Sequence, residues 1–309
     1  MTWLNGFIRK QGQLMLSNDF FALFNTVLLV MLPYTGWLAA SVVALVTLRK
    51  SLKIGGLLLV AAVFTNFMML NSALSVNGAI IGSLLSYAPC YLAACALRFS
   101  QSWRVVFGAL FLQVLLLMCL LQSMHPEFIV QQYMYLREIL TQLHFENTFF
   151  MLNKGANITE QTIFANYLVG IQAAGVALSS VTSLALARFV QSKLYYPEGF
   201  KQEMRMIRGV RSDLLVFIMV LLAARQHYLI AVDVLPVIVV FFFIAGVSLW
   251  FDCMTTRGMF VPMLALSVVL GVFPRVMLPI LVLFGSLDVL VNFRLYLQNK
   301  ADKTIGEVK

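Results

Sequence analysis

Apolar residues run along this chain in long blocks, separated by short clusters of charge. Ten blocks stand out, at about 20–32, 35–48, 54–74, 78–97, 105–122, 160–187, 213–231, 234–251, 258–272 and 276–293. Runs of this kind predict membrane-spanning helices. A full crossing takes roughly 20 residues, so the first two blocks are short. They read either as one broken helix or as a tight hairpin turning at Pro33-Tyr34. The fold class predicted is an all-α polytopic membrane protein with about ten transmembrane segments (eight to ten).

Composition strengthens this reading. The chain is 61% hydrophobic and 11% charged, with a mean hydropathy of +0.89. A soluble protein of 309 residues would need far more charge to cover its surface. The formal charge of +9 fits basic loops kept on the cytoplasmic side better than it fits nucleic acid, and no nucleic-acid partner is expected. If every block crosses, Arg9/Lys10, "RKSLK" (49–53), Arg98/Arg104, the basic stretch near 200, Arg257 and the Lys-rich tail share one side. Asn77, the 123–158 loop, Asp233 and Arg275 fall on the other. That alternation puts both termini in the cytoplasm; a broken first helix would put the N-terminus outside. No small-residue cleavage site follows Arg9 and Lys10 closely, so the start reads as an uncleaved segment of a bacterial inner-membrane protein.

The expected organisation follows. A cytoplasmic tail covers 1–19 and a six-segment membrane domain 20–187. A basic cytoplasmic segment covers 188–212, a four-segment membrane domain 213–293, and a cytoplasmic tail 294–309. In the outer loop, Ile129, Tyr133, Leu136, Leu140 and Leu143 recur at helical spacing and predict an amphipathic helix over about 127–150. It reads as an interfacial helix or a lid. His125, Glu127, His144 and Glu146 share that region, but their spacing is a weak metal signal. Cys90, Cys95, Cys119 and Cys253 lie inside apolar blocks, as buried thiols do. Neither a metal nor a cofactor is expected.

The densest charge lies in "LYYPEGFKQEMRMIRGVRSD" (194–213). Around it, Arg188, Lys193, Lys201, Arg205, Arg208 and Arg211 stand against Glu198, Glu203 and Asp213, a local balance of +3. Pro197 and Gly199 predict a turn. Phe200, Met204 and Ile207 then fall on one helical face, so the stretch reads as a short amphipathic helix. Its cations suit either anionic headgroups of the bilayer or a cytoplasmic partner protein.

"ALARFVQSKLYYPEGFKQEMRMIR" resembles the signature of the YybS-like bacterial membrane proteins, a family of unknown function. Arg188, Gln191, Leu194, Pro197, Gly199, Phe200 and Glu203 match it, while Glu198 stands where Gly is usual. "ALVTLRK" (44–50) is a second similar patch. "GSLDVLVNFRLYL" (285–297) is similar to the family's C-terminal motif through Asp288 and Arg294, with Asn292 replacing its second acid. The resemblance implies that the first six helices are similar to the substrate-binding S-components of energy-coupling-factor transporters. Those usually carry an Ala-x-x-x-Ala pattern on the first helix, which "FFALFNTVLLVML" lacks.

Gly175, Ser179, Ser183 and Ala187 recur every four residues in the sixth block, a spacing that lets helices approach closely. The contact it predicts is internal packing, a second copy of the chain, or another membrane protein. Ionisable groups in spans are functional candidates. Arg225, His227, Asp233 and Arg275 read as a polar cluster near the outer surface, able to bind an anionic ligand; snorkelling of the two arginines to headgroups is the plainer alternative. Asn66, Asn71, Gln113, Asn166 and Gln172 tie helices by hydrogen bonds or line a small-molecule site. No phosphate loop, His-Glu-x-x-His or nucleophile elbow is present, and no enzyme is expected. Two functions remain: a small-molecule binding or transport-related subunit, and a non-transporting scaffold that docks a partner through 194–213.

Overall fold

The computed structural model describes residues 2–72, 75–124, 134, 138, 158–196, 199–253 and 260–294. Among them the regular structure is all helical. The helices are α1 (Thr2–Ser17), α2 (Asp19–Met31), α3 (Gly36–Arg49), α4 (Leu52–Leu70), α5 (Val76–Ser100), α6 (Trp103–Met124), α7 (Ile158–Tyr195), α8 (Gly199–Arg205), α9 (Arg211–Arg225), α10 (Leu229–Cys253), α11 (Phe260–Val272) and α12 (Pro274–Val291). Each of the ten apolar blocks overlaps one of them, although the block at 213–231 runs past the end of α9 at Arg225 into the start of α10. Six of the described helices, α4, α5, α6, α7, α10 and α12, are long and apolar enough to cross a membrane. This is compatible with a multi-pass helical membrane protein. At 13 to 15 residues, α2, α3, α9 and α11 fall short of a full crossing.

The chain divides into two compact units, and the division departs from the expected six-plus-four order. Residues 1–110 and 175–206 form one unit; 111–174 and 207–309 form the other. The chain passes between them within α6, within α7 and after Met206.

In the first unit, the expected N-terminal tail is helical. Asn18 ends α1 and caps α2, accepting from the backbone N–H groups of Phe20 and Phe21 at 3.0 and 3.4 Å. The helix direction turns by 116° at this point. The hairpin at Pro33-Tyr34 forms as one of the two expected alternatives, with Tyr34 in the left-handed region at φ 64° and α3 packed on α2. Residues 39–48 of α3 are all buried, so this short helix is the core element of its unit. It needs no polar face, which is why its sequence is apolar all round. Ala22, Val43, Val46 and Leu58 form the centre of that core.

The second unit is organised on α10 and α12. A Cβ at Gly246 would overlap the carbonyl of Leu281, and one at Gly285 the carbonyl of Phe242. The two helices therefore touch backbone to backbone, which is the use small residues find where lipid gives no hydrophobic drive for association. Beside this contact Val234, Ile238, Phe242 and Val289 are buried together, with the Phe217 ring 5.0 Å from that of Phe242. The chain leaves α12 through Asn292, at φ 52°. Asn is among the few residues that adopt this left-handed cap readily. The motif position where an acid was expected thus serves here as a helix stop.

The expected 127–150 helix and its His125, Glu127, His144 and Glu146 lie outside the described residues, as do Pro197, Glu198 and Arg257.

Candidate functional site

In the second unit three helices bring one polar side chain each to a common point. Gln122 comes from the end of α6, Asn166 from α7 and Asp233 from the second turn of α10. Asp233 is 0% exposed and Asn166 1%, while Gln122 is half-buried. The Gln122 Nε2 group donates to Asp233 Oδ2 at 2.6 Å and to Asn166 Oδ1 at 3.1 Å. Asn166 orients its carboxamide by donating from Nδ2 to the Thr162 carbonyl one turn earlier, at 2.8 Å. The other carboxyl oxygen, Asp233 Oδ1, is buried and has no hydrogen-bond partner.

Backbone packing fixes this arrangement. Gly170, one turn beyond Asn166 on α7, faces Asp233; a Cβ there would lie 2.5 Å from the Asp233 carbonyl oxygen. Only hydrogen at this position lets α7 and α10 approach so closely. Pro236 lies inside α10 and offers no N–H to the carbonyl of Val232 four residues earlier. The start of α10 therefore carries both a buried carboxyl and a carbonyl without its usual helical donor. A buried acid with one neutral donor is costly to place in an apolar helix.

The polar cluster expected of Arg225, His227, Asp233 and Arg275 does not form. Arg225 is the last residue of α9, and it is exposed. His227 is exposed in the turn that follows, at φ 64°. Arg275 is exposed in the first turn of α12. Asp233 makes no ion pair with any of them and is buried in the helix packing, with Gln122 as its donor. A cationic pocket for an anion is thus replaced by an acidic site without a cation among the described residues.

Two further polar assemblies gather residues of the sequence patches at 185–208 and 285–297. In the first unit, Arg188 donates to both oxygens of Glu203, from Nε to Oε2 at 2.8 Å and from Nη2 to Oε1 at 2.6 Å. Its Nη1 donates to Gln191 Oε1 at 2.9 Å, and Trp103 Nε1 donates to Glu203 Oε2 at 3.3 Å. Ser192 Oγ accepts the Phe200 N–H at 3.2 Å, and the Phe200 ring packs edge-on to Phe189 at 5.6 Å. Gly199 opens α8. In the second unit, Asp288 accepts from Arg294 Nε at 3.2 Å and pairs with Arg208 Nε at 3.5 Å. Arg294 also donates to the Ile207 carbonyl and to Ser248 Oγ. The partners of Asp288 thus come from the linker before α9 and from its own C-terminal side.

The basic stretch is therefore not one uniform surface. Arg188 and Arg208 turn to internal carboxylates, Arg205 is half-buried, and Lys193 and Arg211 are exposed; the side chain of Lys201 lies outside the described residues. The four-residue stripe on α7 also divides. Gly175 and Ser179 are exposed, whereas Ser183 and Ala187 are buried. Ser183 Oγ lies 2.8 Å from the carbonyls of both Trp37 and Ser179, so the lower half of the stripe packs inside its unit.

Sequence reasoning missed Gln122, which sits at the end of an apolar block. The available signal was the pair Asn166 and Gly170, four apart on α7 and so on one face. Among the described residues, no group of three or more His, Cys, Asp and Glu could hold a metal. Comparison of the chain with protein-family models, with curated proteins and with solved structures finds no match.

Proposed function

We propose that this protein is a multi-pass component of the bacterial inner membrane that binds a small solute inside its second helical unit, in a transport-related role. The observation that carries this reading is Asp233, enclosed among apolar helices with one carboxyl oxygen left without a partner. Ionisable groups at such positions mark solute and ion paths more often than they serve as simple ties. Ten crossings with both termini in the cytoplasm belong to the same reading. Kinship with the YybS-like proteins and an S-component-like first half also belong to it, resting on the three patches quoted above.

The test is retention of a bound solute. The full chain, purified from its own membrane in mild detergent, is denatured and the released small molecules and ions are identified by mass spectrometry. The expected result is a stoichiometric species that disappears in Asp233→Asn. Equal retention by wild type and variant overturns the reading. Reporter fusions at positions 77, 140, 200 and 232 test the topology, with 200 expected alone on the cytoplasmic side.

A scaffold that docks a partner through 194–213 is the second reading, favoured by the exposed cations Lys193 and Arg211. It is the weaker one, because Arg188 and Arg208 are already engaged with Glu203 and Asp288.

A further inference from the structure

The chemistry of the Asp233 site points to a narrower class of ligand. We propose that Asp233, Asn166 and Gln122 form the binding site of a small monovalent metal cation of the sodium class. The inference rests on the reading of Asp233 as the solute-binding locus.

Charge comes first. The site holds one carboxylate and two neutral carboxamides, and among the described residues no cation reaches it. Arg225, His227 and Arg275, the nearest in sequence or expectation, are exposed. A bound monovalent ion would neutralise an ionised Asp233 carboxylate with no charge left over. A divalent ion would be left with excess charge, since such ions are usually held by several carboxylates.

The donor set comes second. It consists of side-chain oxygens, with no thiolate or imidazole, which selects hard cations over transition metals. Asp233 Oδ2 and Asn166 Oδ1 are held on one nitrogen, Gln122 Nε2, at 2.6 and 3.1 Å. That nitrogen occupies the point toward which both oxygens turn, and its partial positive charge stands where a cation would sit. Asp233 Oδ1, buried and without a donor, supplies a third oxygen.

Size and access come third. Asp233 and Asn166 are enclosed, and Gly170 holds α7 against the Asp233 backbone. A monatomic ion can enter such a site by displacing one carboxamide, whereas a larger solute would have to part the helices. Gln122 is the half-buried member of the set. It is also the one whose withdrawal or rotation would open the site and offer its own carbonyl oxygen to the ion.

The experiment uses the full chain in detergent and follows its thermal unfolding in sodium chloride against choline chloride at equal ionic strength and fixed pH. The expected result is a saturable rise in Tm of at least a few degrees with sodium in wild type, absent in Asp233→Asn. Binding of radioactive sodium to wild type, competed by unlabelled sodium chloride, provides a readout that needs no variant. No sodium-dependent shift and no competed binding overturns the proposal, as does an equal shift in Asp233→Asn. A Tm that follows pH alone assigns the carboxyl to a proton and also overturns it. If Asp233→Asn loses a retained solute while sodium has no effect, the cation falls and the solute-binding reading stands. If neither responds to the substitution, both fall.

Discussion

Arg188 grips the carboxylate of Glu203 with two nitrogens, at 2.8 and 2.6 Å, and so fastens α8 to the end of α7. The two side chains are 17% and 28% exposed, sheltered enough for the pair to contribute more than an open surface bridge does. Glu203→Gln is expected to lower stability by about 2 kcal/mol, the scale of hydrogen bonds to a charged group. Arg188→Lys keeps the charge but loses the planar fork, and should cost a measurable fraction of that. Thermal unfolding in detergent reads both, and a double-mutant cycle isolates the pair. Additive single effects would show that the grip contributes nothing of its own.

Asp288 is 2% exposed in its side chain and serves two arginines. Asp288→Asn should therefore be more damaging than Glu203→Gln, by about 3–5 kcal/mol, because it leaves Arg294 buried without its counter-charge. Combining it with Arg294→Gln should restore part of the loss. The yield of folded protein after detergent extraction is the first check, and Tm the second.

Two glycines on α7 should behave oppositely. At Gly170 an added Cβ meets the Asp233 carbonyl oxygen at 2.5 Å; at Gly175 it meets nothing within 4 Å. Gly170→Ala is expected to destabilise by about 1–3 kcal/mol through overpacking, and to weaken whatever Asp233 binds. Gly175→Ala should be neutral or stabilise by up to about 1 kcal/mol, the usual gain of Ala over Gly inside a helix. If both substitutions behave alike, the close approach of α7 to α10 is not there.

Gly246 and Gly285 sit at a backbone-to-backbone contact with no flexible side chain to give way. Either one replaced by Val should cost at least about 3 kcal/mol and lower the amount of folded protein recovered. Reversal at Lys193, which is exposed, serves as a control that should leave stability within about 0.5 kcal/mol of wild type.

The helices themselves were legible in the sequence because each apolar block is bounded by charge or by capping residues such as Asn18 and Ser51. Their partners were not. Arg225, His227 and Asp233 lie within nine residues, and proximity in sequence suggested one cluster. The turn at His227 reverses the chain, leaving Arg225 and His227 exposed while Asp233 points into the packing. Gln122 and Asn166 belong with Asp233 through folding alone, since 44 and 111 residues separate Gln122 from its two acceptors. The match of Arg188 and Glu203 to a motif marked both residues without saying that they hold each other. The divided units had no sequence signature, because the chain passes between them inside helices α6 and α7, where apolar pattern continues unbroken.

The discontinuity of the first unit has a consequence for how the protein is made. Gly12 of α1 rests against Val190 and Leu194, residues that leave the ribosome on the order of ten to forty seconds later at ordinary elongation rates. Until then the earliest helix has no neighbour at that face. Newborn chains must wait in the bilayer, or be held there, with that face open. Loss of that late contact should therefore show in the yield of folded chains before it shows in anything the finished fold does.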